Sequence, residues 1–298
     1  MLKFGILRSP SGYSLSEVMQ NGALQHLNIN GEYKAYGVSE DELKSVFEKL
    51  KADGIKGLNV TIPHKIKIIQ FLDKLTDTAK QVGAVNTITF NNGKSIGDNT
   101  DVLGFWEAIP EETREKIPNQ TVAILGYGGA ARAVCTALIL NQTKKISVHG
   151  RNKNKLENFR NHFVKTPRRG VYEIETGLLD DINLSNTFML VNTTPIGMYP
   201  KINETPIAKE KLKKLPVETS RRGVSTLVYD IIYKPQETKL LKDAKSLDLK
   251  TLNGVEMLVR QGAASLNIWL GKNIAPISVM RVAVLNELKN QCIANDVL

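Results

Sequence analysis

The residues best placed for acid–base chemistry follow a predicted strand in the N-terminal part of the chain. The sequence N-V-T-I-P-H-K covers residues 59–65 and puts polar groups at the end of a strand and on the first turn of a helix. Ligands of open α/β sheets bind beyond the carboxyl ends of the strands. Lys65 could donate or accept a proton there if its pKa were lowered, although a single lysine in such a place is more often exposed and solvated. His64 directly follows Pro63, and we expect it to cap or pack rather than to catalyse.

Two further polar segments lie at predicted element boundaries. Residues 97–101, G-D-N-T-D, close a hairpin and open a helix. Either Asp98 or Asp101 could cap that helix, and Asp101 lies in its first turn, where the helix dipole favours a carboxylate. Ser14 and Ser16 stand at the start of an early helix. One of them could be its N-cap, or the two hydroxyls could bind a carboxylate.

A nucleotide-binding pattern occupies residues 122–133, V-A-I-L-G-Y-G-G-A-A-R-A. Four apolar residues predict a buried strand and the small residues after them predict a helix, which is the context in which G-x-G-x-x-G/A indicates dinucleotide binding. Gly126 allows the tight turn, Gly128 lets the backbone approach a pyrophosphate, and Ala131 takes the third small position. The helix N-terminus offers N–H groups to the phosphates. The residues predicted to meet the phosphates are Gly126, Gly128, Gly129 and Ala130.

The second strand of this unit indicates which dinucleotide is bound. An NAD site usually has Asp or Glu at its end for the ribose 2′-OH, whereas here the strand ends H-G-R-N-K-N-K at residues 149–155, without a carboxylate. Arg151 could hold a 2′-phosphate in a bidentate way, and Lys153 or Lys155 could add charge. The alternative is a solvated basic start to a helix. The pattern favours NADP over NAD.

The chain alternates strands and helices in two successive units, which indicates the α/β class with parallel sheets and helices on their faces. A capping box of Ser39 and Glu42 precedes the helix at 43–50, and Pro63 is placed to start another. Basic stretches at 166–170 and 209–222 are expected to be surface loops or insertions. The strands of the first unit are predicted at 3–7, 32–37, 55–61, 85–90 and 94–96. Those of the second unit are predicted at 121–125, 146–149, 171–175, 187–192 and 225–229. The other helices are predicted at 15–27 and 253–270.

Composition narrows the function classes. The chain has 298 residues and a net charge of +10, but its lysines are scattered without a basic, aromatic stripe, so we expect no nucleic-acid partner. The charge could attract small polyanions or only solubilise the surface. Cys135 and Cys292 predict neither a disulfide framework nor a metal site, which makes the reducing cytoplasm the expected location. No segment has the length and apolarity of a membrane span, and residues 1–7 lack the features of a signal peptide.

Taken together, seven segments resemble the shikimate dehydrogenase family, and they occur in the family's order from residue 14 to residue 261. They are S-L-S at 14–16, N-V-T-I-P-H-K at 59–65, G-A-V-N-T at 83–87, N-T-D at 99–101, V-N-T-T-P-I-G-M at 191–198, Y-D-I-I-Y-K-P at 229–235 and N-G-V-E-M-L-V-R-Q at 253–261.

The resemblance implies NADPH-dependent, reversible reduction of 3-dehydroshikimate to shikimate, a reaction of aromatic amino-acid biosynthesis. It implies Lys65 as the catalytic residue, with Asp101 as its partner. The implied substrate-binding residues are Ser14, Ser16, Thr61, Asn86, Tyr233 and Gln261. The implied cofactor-binding residues, beyond the phosphate-binding glycine segment, are Arg151, Asn152, Lys155, Thr193, Met198 and Gly254. The implied partner is a small-molecule substrate. Neither a membrane partner nor a metal ion is expected, and the protein is expected to be a monomer or a homodimer.

The resemblance also implies the fold, an α/β protein of two domains. An N-terminal α/β substrate domain with a parallel-dominated sheet spans 1–102 and is completed by C-terminal helices within 237–298. A Rossmann-type, doubly wound NADP domain spans 103–236, and the active-site cleft is expected between the two.

Three departures from the family pattern keep alternatives open. Gly12-Tyr13 and Glu17 stand where Ser-His and Pro are usual, Gly150-Arg151-Asn152 replaces Asn-Arg-Thr, and Leu266 replaces an aromatic residue. A quinate/shikimate dehydrogenase with relaxed substrate and cofactor choice is the nearest alternative. A non-catalytic metabolite-binding regulator on the same scaffold is the other, although such a protein need not keep both Lys65 and Asp101.

Overall fold

The computed structural model describes residues 1–12, 14–165, 173–217 and 225–295, and the chain divides into two compact α/β units. The first comprises Met1–Gly104 with Leu258–Leu298, and the second comprises Phe105–Met257. The predicted two-domain α/β class is confirmed. Within the described residues, no helix combines the length and apolar character that crossing a membrane requires.

The described residues form twelve strands and eleven α-helices. The strands are β1 (Leu2–Arg8), β2 (Gly31–Gly37), β3 (Gly57–Val60), β4 (Lys74–Leu75), β5 (Thr87–Asn91), β6 (Lys94–Asp98), β7 (Thr121–Leu125), β8 (Lys145–Gly150), β9 (Glu173–Leu178), β10 (Met189–Asn192), β11 (Leu227–Asp230) and β12 (Lys250–Leu252). The helices are α1 (Ser16–His26), α2 (Leu43–Ala52), α3 (Asp77–Val82), α4 (Asp101–Ala108), α5 (Glu111–Arg114), α6 (Gly129–Leu140), α7 (Lys153–Lys165), α8 (Lys209–Leu212), α9 (Lys239–Lys245), α10 (Val255–Leu270) and α11 (Ile277–Asn295).

The sheet of the first unit has the order β2-β1-β3-β5-β6-β4. Strand β1 is parallel to β2 and β3, whereas β5 is antiparallel to both β3 and β6. In the register, Thr87 at the start of β5 lies between Asn59 of β3 and Asp98 of β6. The reversed strand therefore brings the residues before β5 to the edge where β3 and β6 end.

Helix α10, the penultimate helix of the described chain, contributes to the core of the first unit. The Trp269 ring stacks on Phe4 with centroids 5.1 Å apart, and its Nε1 donates to the carbonyl of Ile88 at 3.0 Å. Gly57 makes room for the indole, because a Cβ at that position would overlap the ring. Aromatic side chains bury a large area in specific geometries, so this contact fixes α10 against β1, β3 and β5.

The sheet of the second unit has the order β12-β11-β10-β7-β8-β9, and all its pairs are parallel. Counted from β7, this is the 3-2-1-4-5-6 order of the Rossmann fold. The chain reverses its winding direction between β7 and β10, at the point where ligands of such sheets bind. The predicted doubly wound domain is confirmed.

Several predicted boundaries differ from the structure. The strand expected to end at residue 175 is β9, which extends to Leu178. Residues 166–172 and 218–224 lie outside the described part of the chain, so the predicted start at 171 and the basic stretch at 166–170 are not compared. Pro63 starts a turn rather than a helix, and the next regular element is a 3₁₀ helix at Lys67–Phe71. Residues 237–257 belong to the second unit, because β12 pairs with β11 and lies within this span.

The capping box is present, since the backbone N–H of Ser39 donates to Glu42 Oε2 at 3.1 Å and that of Glu42 donates to Ser39 Oγ at 3.4 Å. The stretch expected to be a loop at 209–222 contains the short helix α8. Cys135 is fully buried in α6, as expected of a small apolar residue.

Candidate active site and nucleotide site

Lys65 and Asp101 form an ion pair at the edge of the first sheet. Lys65 lies in the turn after β3, and Asp101 is the first residue of α4, after β6. Lys65 Nζ is 2.5 Å from Asp101 Oδ2, and the two side chains are only 14% and 6% exposed. The two predicted residues thus meet, because β3 and β6 end at the same edge on either side of β5.

Asn86 holds the other oxygen of that carboxylate. Its Nδ2 donates to Asp101 Oδ1 at 2.8 Å, and its Oδ1 accepts from the backbone N–H of Thr100 at 2.8 Å. Asn99 supports the same turn, since its Oδ1 accepts from the backbone N–H of Asp101 and its Nδ2 donates to the carbonyl of Ala84. Asp101 is therefore oriented from both sides before any ligand binds.

A buried polar cluster behind the pair was missed by the sequence analysis. Ser265 of α10 has its Oγ 2.7 Å from Thr87 Oγ1 and accepts from Asn59 Nδ2 at 3.0 Å. Asn59 in turn accepts from the hydroxyl of Tyr33 at 2.8 Å. These four residues, all buried, connect α10, β2, β3 and β5. Asn59 and Thr87 lie in the segments 59–65 and 83–87 that resemble the family. No local pattern reveals that Tyr33 and Ser265 join them, because each of these two is an ordinary polar residue within its element.

Gln261, also on α10, reaches the same place. Asn86 Nδ2 lies 3.3 Å from Gln261 Oε1, and Gln261 Nε2 donates to the carbonyl of Leu258 at 2.7 Å. The predicted residues Asn86 and Gln261 are thus brought together, although 175 positions separate them in the chain.

Ser14, Ser16 and Thr61 lie near the ends of β1 and β3. The backbone N–H of Thr61 donates to the carbonyl of Leu7 at 3.0 Å, which fixes the end of β3 beside that of β1. The Oγ of Ser14 accepts from the backbone N–H of Ser16 at 3.1 Å. Ser14 is half-buried and Ser16 is buried. Tyr13 is outside the described residues.

His64 has the structural role expected from its sequence position. Its side chain is fully buried and its Nε2 lies 2.9 Å from the carbonyl of Val38. This contact ties the turn that carries Lys65 to the segment after β2.

The glycine-rich turn of the second unit has an open face. Gly126 has φ +109°, and a Cβ there would lie 2.6 Å from Thr193 Oγ1. Gly128 precedes α6, and a Cβ there would meet nothing within 4 Å. The space beside Gly128 is thus free, and no acidic residue lies in the first turn of α6. The residues present fit the pyrophosphate of a dinucleotide.

The basic residues after β8 are solvent-exposed. Arg151, Asn152 and Lys155 all lie on the surface. The Oδ1 of Asn152 accepts from the backbone N–H of Lys155 at 3.0 Å, so this oxygen caps α7. Arg151 is left as the residue whose guanidinium best suits a phosphate at this place.

The segments after β10 and β11 are joined by a buried carboxylate. Asn192 Nδ2 donates to Asp230 Oδ1 at 3.0 Å, and Thr238 Oγ1 donates to Asp230 Oδ2 at 2.7 Å. Asn192 Oδ1 accepts from the backbone N–H and the hydroxyl of Thr194. Burial raises the pKa of Asp230 to about 6. Asp230 lies in the Y-D-I-I-Y-K-P segment, but its residue type and spacing alone did not predict this buried role.

The remaining predicted residues of the second unit differ in their surroundings. Thr193 is buried and its hydroxyl donates to the carbonyl of Leu125 at 2.6 Å, which ties β10 to the glycine-rich turn. A Cβ at Gly254 would overlap the carbonyl of Ile231, so this glycine permits a close backbone approach. Met198 is exposed and Tyr233 is half-buried.

A Rossmann unit whose glycine-rich turn fits a pyrophosphate, together with an oriented lysine–aspartate pair on the first α/β unit, defines a nicotinamide-dinucleotide-dependent oxidoreductase. The sequence is 37% identical over 284 residues to a shikimate dehydrogenase (NADP(+)) of Nostoc sp., an alignment that covers 95% of this chain and 96% of the relative. The chain belongs to the shikimate dehydrogenase family, as its motifs predicted.

Family models and solved structures agree with that assignment. The model of the shikimate dehydrogenase substrate binding domain matches residues 6–88, and that of the shikimate 5'-dehydrogenase C-terminal domain matches residues 254–285. A crystal structure of shikimate dehydrogenase in complex with NADP+ is similar to this chain with a TM-score of 0.81 and 37% identity, covering 96% of each chain. The shikimate 5-dehydrogenase of Thermus thermophilus, in complex with NADP(H) and shikimate, has a TM-score of 0.80 and 28% identity over 96% of this chain and 99% of its own.

Proposed function

We propose that the protein catalyses the reversible, NADPH-dependent reduction of 3-dehydroshikimate to shikimate. The observation that carries this proposal is the Lys65–Asp101 pair, an ammonium 2.5 Å from a carboxylate whose second oxygen is already held by Asn86. The relatives' names and titles, which include shikimate and NADP(+), indicate the substrate and the cofactor.

The chain's own groups supply the proton. NADPH, when bound, supplies a hydride to the C3 carbonyl carbon of the substrate. As negative charge builds on the carbonyl oxygen, the ammonium of Lys65 stabilises it and transfers a proton to it, which gives the C3 hydroxyl. Lys65 is left neutral beside Asp101 and regains a proton from solvent. Such a positioned proton donor contributes about 10²–10⁴ in rate.

The substrate is held by the polar side chains that the family resemblance implied. Ser14 and Ser16 bind its carboxylate, since the Oγ of Ser14 accepts from Ser16 and keeps its hydroxyl hydrogen to donate. Thr61, Gln261 and Tyr233 bind the ring hydroxyls. The amide of Asn86 already bonds within the protein, so it acts chiefly by orienting Asp101, and its long 3.3 Å contact to Gln261 is the one a substrate hydroxyl would replace.

The cofactor is held by the second unit. The backbone of the glycine-rich turn and the first turn of α6 bind the pyrophosphate, through Gly126, Gly128, Gly129 and Ala130. Arg151 and Lys155 bind the 2′-phosphate, and Asn152 shapes that turn by capping α7. Thr193, Met198 and Gly254 form the nicotinamide side. The substrate is the partner we propose, with the cytoplasm as location and a monomer or homodimer as assembly.

The experiment that tests this function is a comparison of kcat/KM for shikimate and quinate, each with NADP+ and NAD+. We expect shikimate with NADP+ to be preferred by at least about tenfold, which corresponds to roughly 1.4 kcal/mol of transition-state binding. Quinate carries an extra hydroxyl beside the carboxylate that Ser14 and Ser16 bind. Similar values for the two substrates would instead identify a quinate/shikimate dehydrogenase. Measurable binding of shikimate without turnover would identify a non-catalytic regulator.

A further inference from the structure

Tyr127, between the two glycines of the phosphate-binding turn, contacts the neighbouring turn of the second unit. A Cβ built on Gly150 would overlap the Cε1 and Cδ1 atoms of the Tyr127 ring. The ring therefore occupies the space that any other side chain at position 150 would need. Gly150 is not among the glycines with positive φ, so its backbone conformation is open to other residues. The glycine is required there by the ring of Tyr127.

This contact joins the two turns that recognise different parts of a dinucleotide, the pyrophosphate and the adenosine ribose. The turn after β7 faces the pyrophosphate, and the residues at the end of β8 face the ribose at its 2′ position. Gly150 is the last residue of β8, and Arg151 follows it directly. An aromatic ring has only two side-chain torsions and buries a large area, so a ring seated on Gly150 restricts the backbone that carries Arg151. Leu156 of α7 closes the other side, 3.6 Å from the position of that Cβ.

We propose that Tyr127 and Gly150 together determine cofactor specificity, by holding the turn of Arg151 where its guanidinium meets the ribose 2′-phosphate. This inference rests on the NADP site of the proposed function and assigns a positioning role to Tyr127. The contact between Tyr127 and Gly150 affects the binding of NADP+ and not that of NAD+, because NAD+ lacks the phosphate that Arg151 binds. Loosening the turn costs part of a charge-assisted contact, which amounts to roughly tenfold in affinity.

The experiment measures dissociation constants of NADP+, NAD+ and 2′,5′-ADP for the purified full chain and its variants. The nucleotide 2′,5′-ADP isolates the 2′-phosphate site from hydride chemistry. Tyr127→Ala removes the ring, and Gly150→Ala forces the ring off its seat. We expect each to weaken NADP+ and 2′,5′-ADP about tenfold and to leave NAD+ within about twofold. Tyr127→Phe keeps the ring and is expected to bind as the unchanged protein does.

The double variant Tyr127→Ala/Gly150→Ala tests the contact itself. With the ring removed, the new methyl group has free space, so the double variant is expected to bind NADP+ no more weakly than Tyr127→Ala alone. Multiplied losses in the double variant, or equal losses for NADP+ and NAD+, overturn the inference. A melting temperature for each variant shows that the folded protein is being titrated.

Arg151→Ala separates this inference from the function on which it rests. If Arg151→Ala abolishes the preference for NADP+ while Tyr127→Ala does not change it, the inference alone is overturned. If Arg151→Ala leaves the preference unchanged, the 2′-phosphate site and the inference both fail. If 2′,5′-ADP binding responds as expected but shikimate is not oxidised, the inference stands and the proposed reaction fails.

Discussion

At the scale of single residues, the chemistry depends on how little freedom Lys65 has. A buried ion pair adds little stability by itself, because both charges lose their hydration. What the pair supplies is orientation, since Asp101 is fixed by Asn86 on one oxygen and by Lys65 on the other. An ammonium held in place costs no reorganisation when charge develops on the substrate.

The first prediction concerns this group. Lys65→Ala removes the proton donor, so kcat is expected to fall by about 10²–10⁴ while the KM for shikimate changes far less. Lys67→Ala is the matched control, because Lys67 is two residues further on, half-buried, and paired with the exposed Glu40. Steady-state kinetics of both variants give the answer. A rise in KM with kcat intact would make Lys65 a binding residue.

Of the site, the sequence identified the residues that motifs carry and missed the contacts that only the fold assembles. Lys65, Asn86 and Asp101 lie in short segments with recognisable types and spacing. Ser265 and Asn59 are 206 positions apart and contact each other only because α10 packs on the first sheet. No local pattern encodes such a pair.

At the scale of elements, α10 is what completes the site. It supplies Gln261 and Ser265 from one helical face, four residues apart. It is held by Trp269, one turn beyond Ser265. The same helix thus links the packing of the core to the polar cluster behind Asp101.

The second prediction tests that link. Ser265→Ala leaves the buried Thr87 and Asn59 each without one partner, so the unfolding free energy is expected to fall by about 1–3 kcal/mol. Ser45→Ala, at an exposed serine of α2, is the control and is expected to stay within about 0.5 kcal/mol of the unchanged protein. Denaturant titrations of the two variants give the comparison. Equal stability of both would mean that the cluster does not hold α10.

Element types were predictable where the periodicity was long, and element ends were not. The two sheets follow from the alternation of strands and helices. The strands β4 and β12, with two and three residues, are too short to show a pattern. The prediction that Pro63 starts a helix was wrong, because the chain makes a turn there. In this turn the backbone N–H of His64 donates to the carbonyl of Thr61.

At the scale of the whole molecule, stability depends on pH through groups whose contributions change in opposite directions as the pH rises. Hydrogen bonds from Ser95, followed by one from Lys51, lower the pKa of Asp73, so its contribution is present above its ordinary pKa and lost in acid. Burial lowers the pKa of His149, so the unfolded chain takes up its proton first as the pH falls, and stability decreases.

Asp230 acts in the opposite direction. Its pKa is raised from 3.8 to about 6 by burial, while hydrogen bonds from Thr238, Ile232 and Asn192 oppose that rise. Between these two values the folded chain binds more protons than the unfolded chain, so this group lowers stability as the pH increases. The destabilisation that this pKa difference causes is roughly 3 kcal/mol. It is fully present above pH 6 and absent near pH 4. The neighbouring Tyr229 is also buried, and burial followed by the charges of Glu256 and Asp230 raises its pKa.

The last prediction isolates this buried carboxylate. Asp230→Asn imitates the protonated acid and keeps an oxygen to accept from Ile232 and Asn192. Its stability relative to the unchanged protein is therefore expected to increase between pH 4 and pH 6 and to level off above, by at most roughly 3 kcal/mol. Because Asp73 and His149 are present in both proteins, their contributions cancel in the difference. Unfolding free energies of the two proteins, measured from pH 4 to pH 8, give the curve, and a difference that is constant over that range would mean that Asp230 does not titrate as its burial requires.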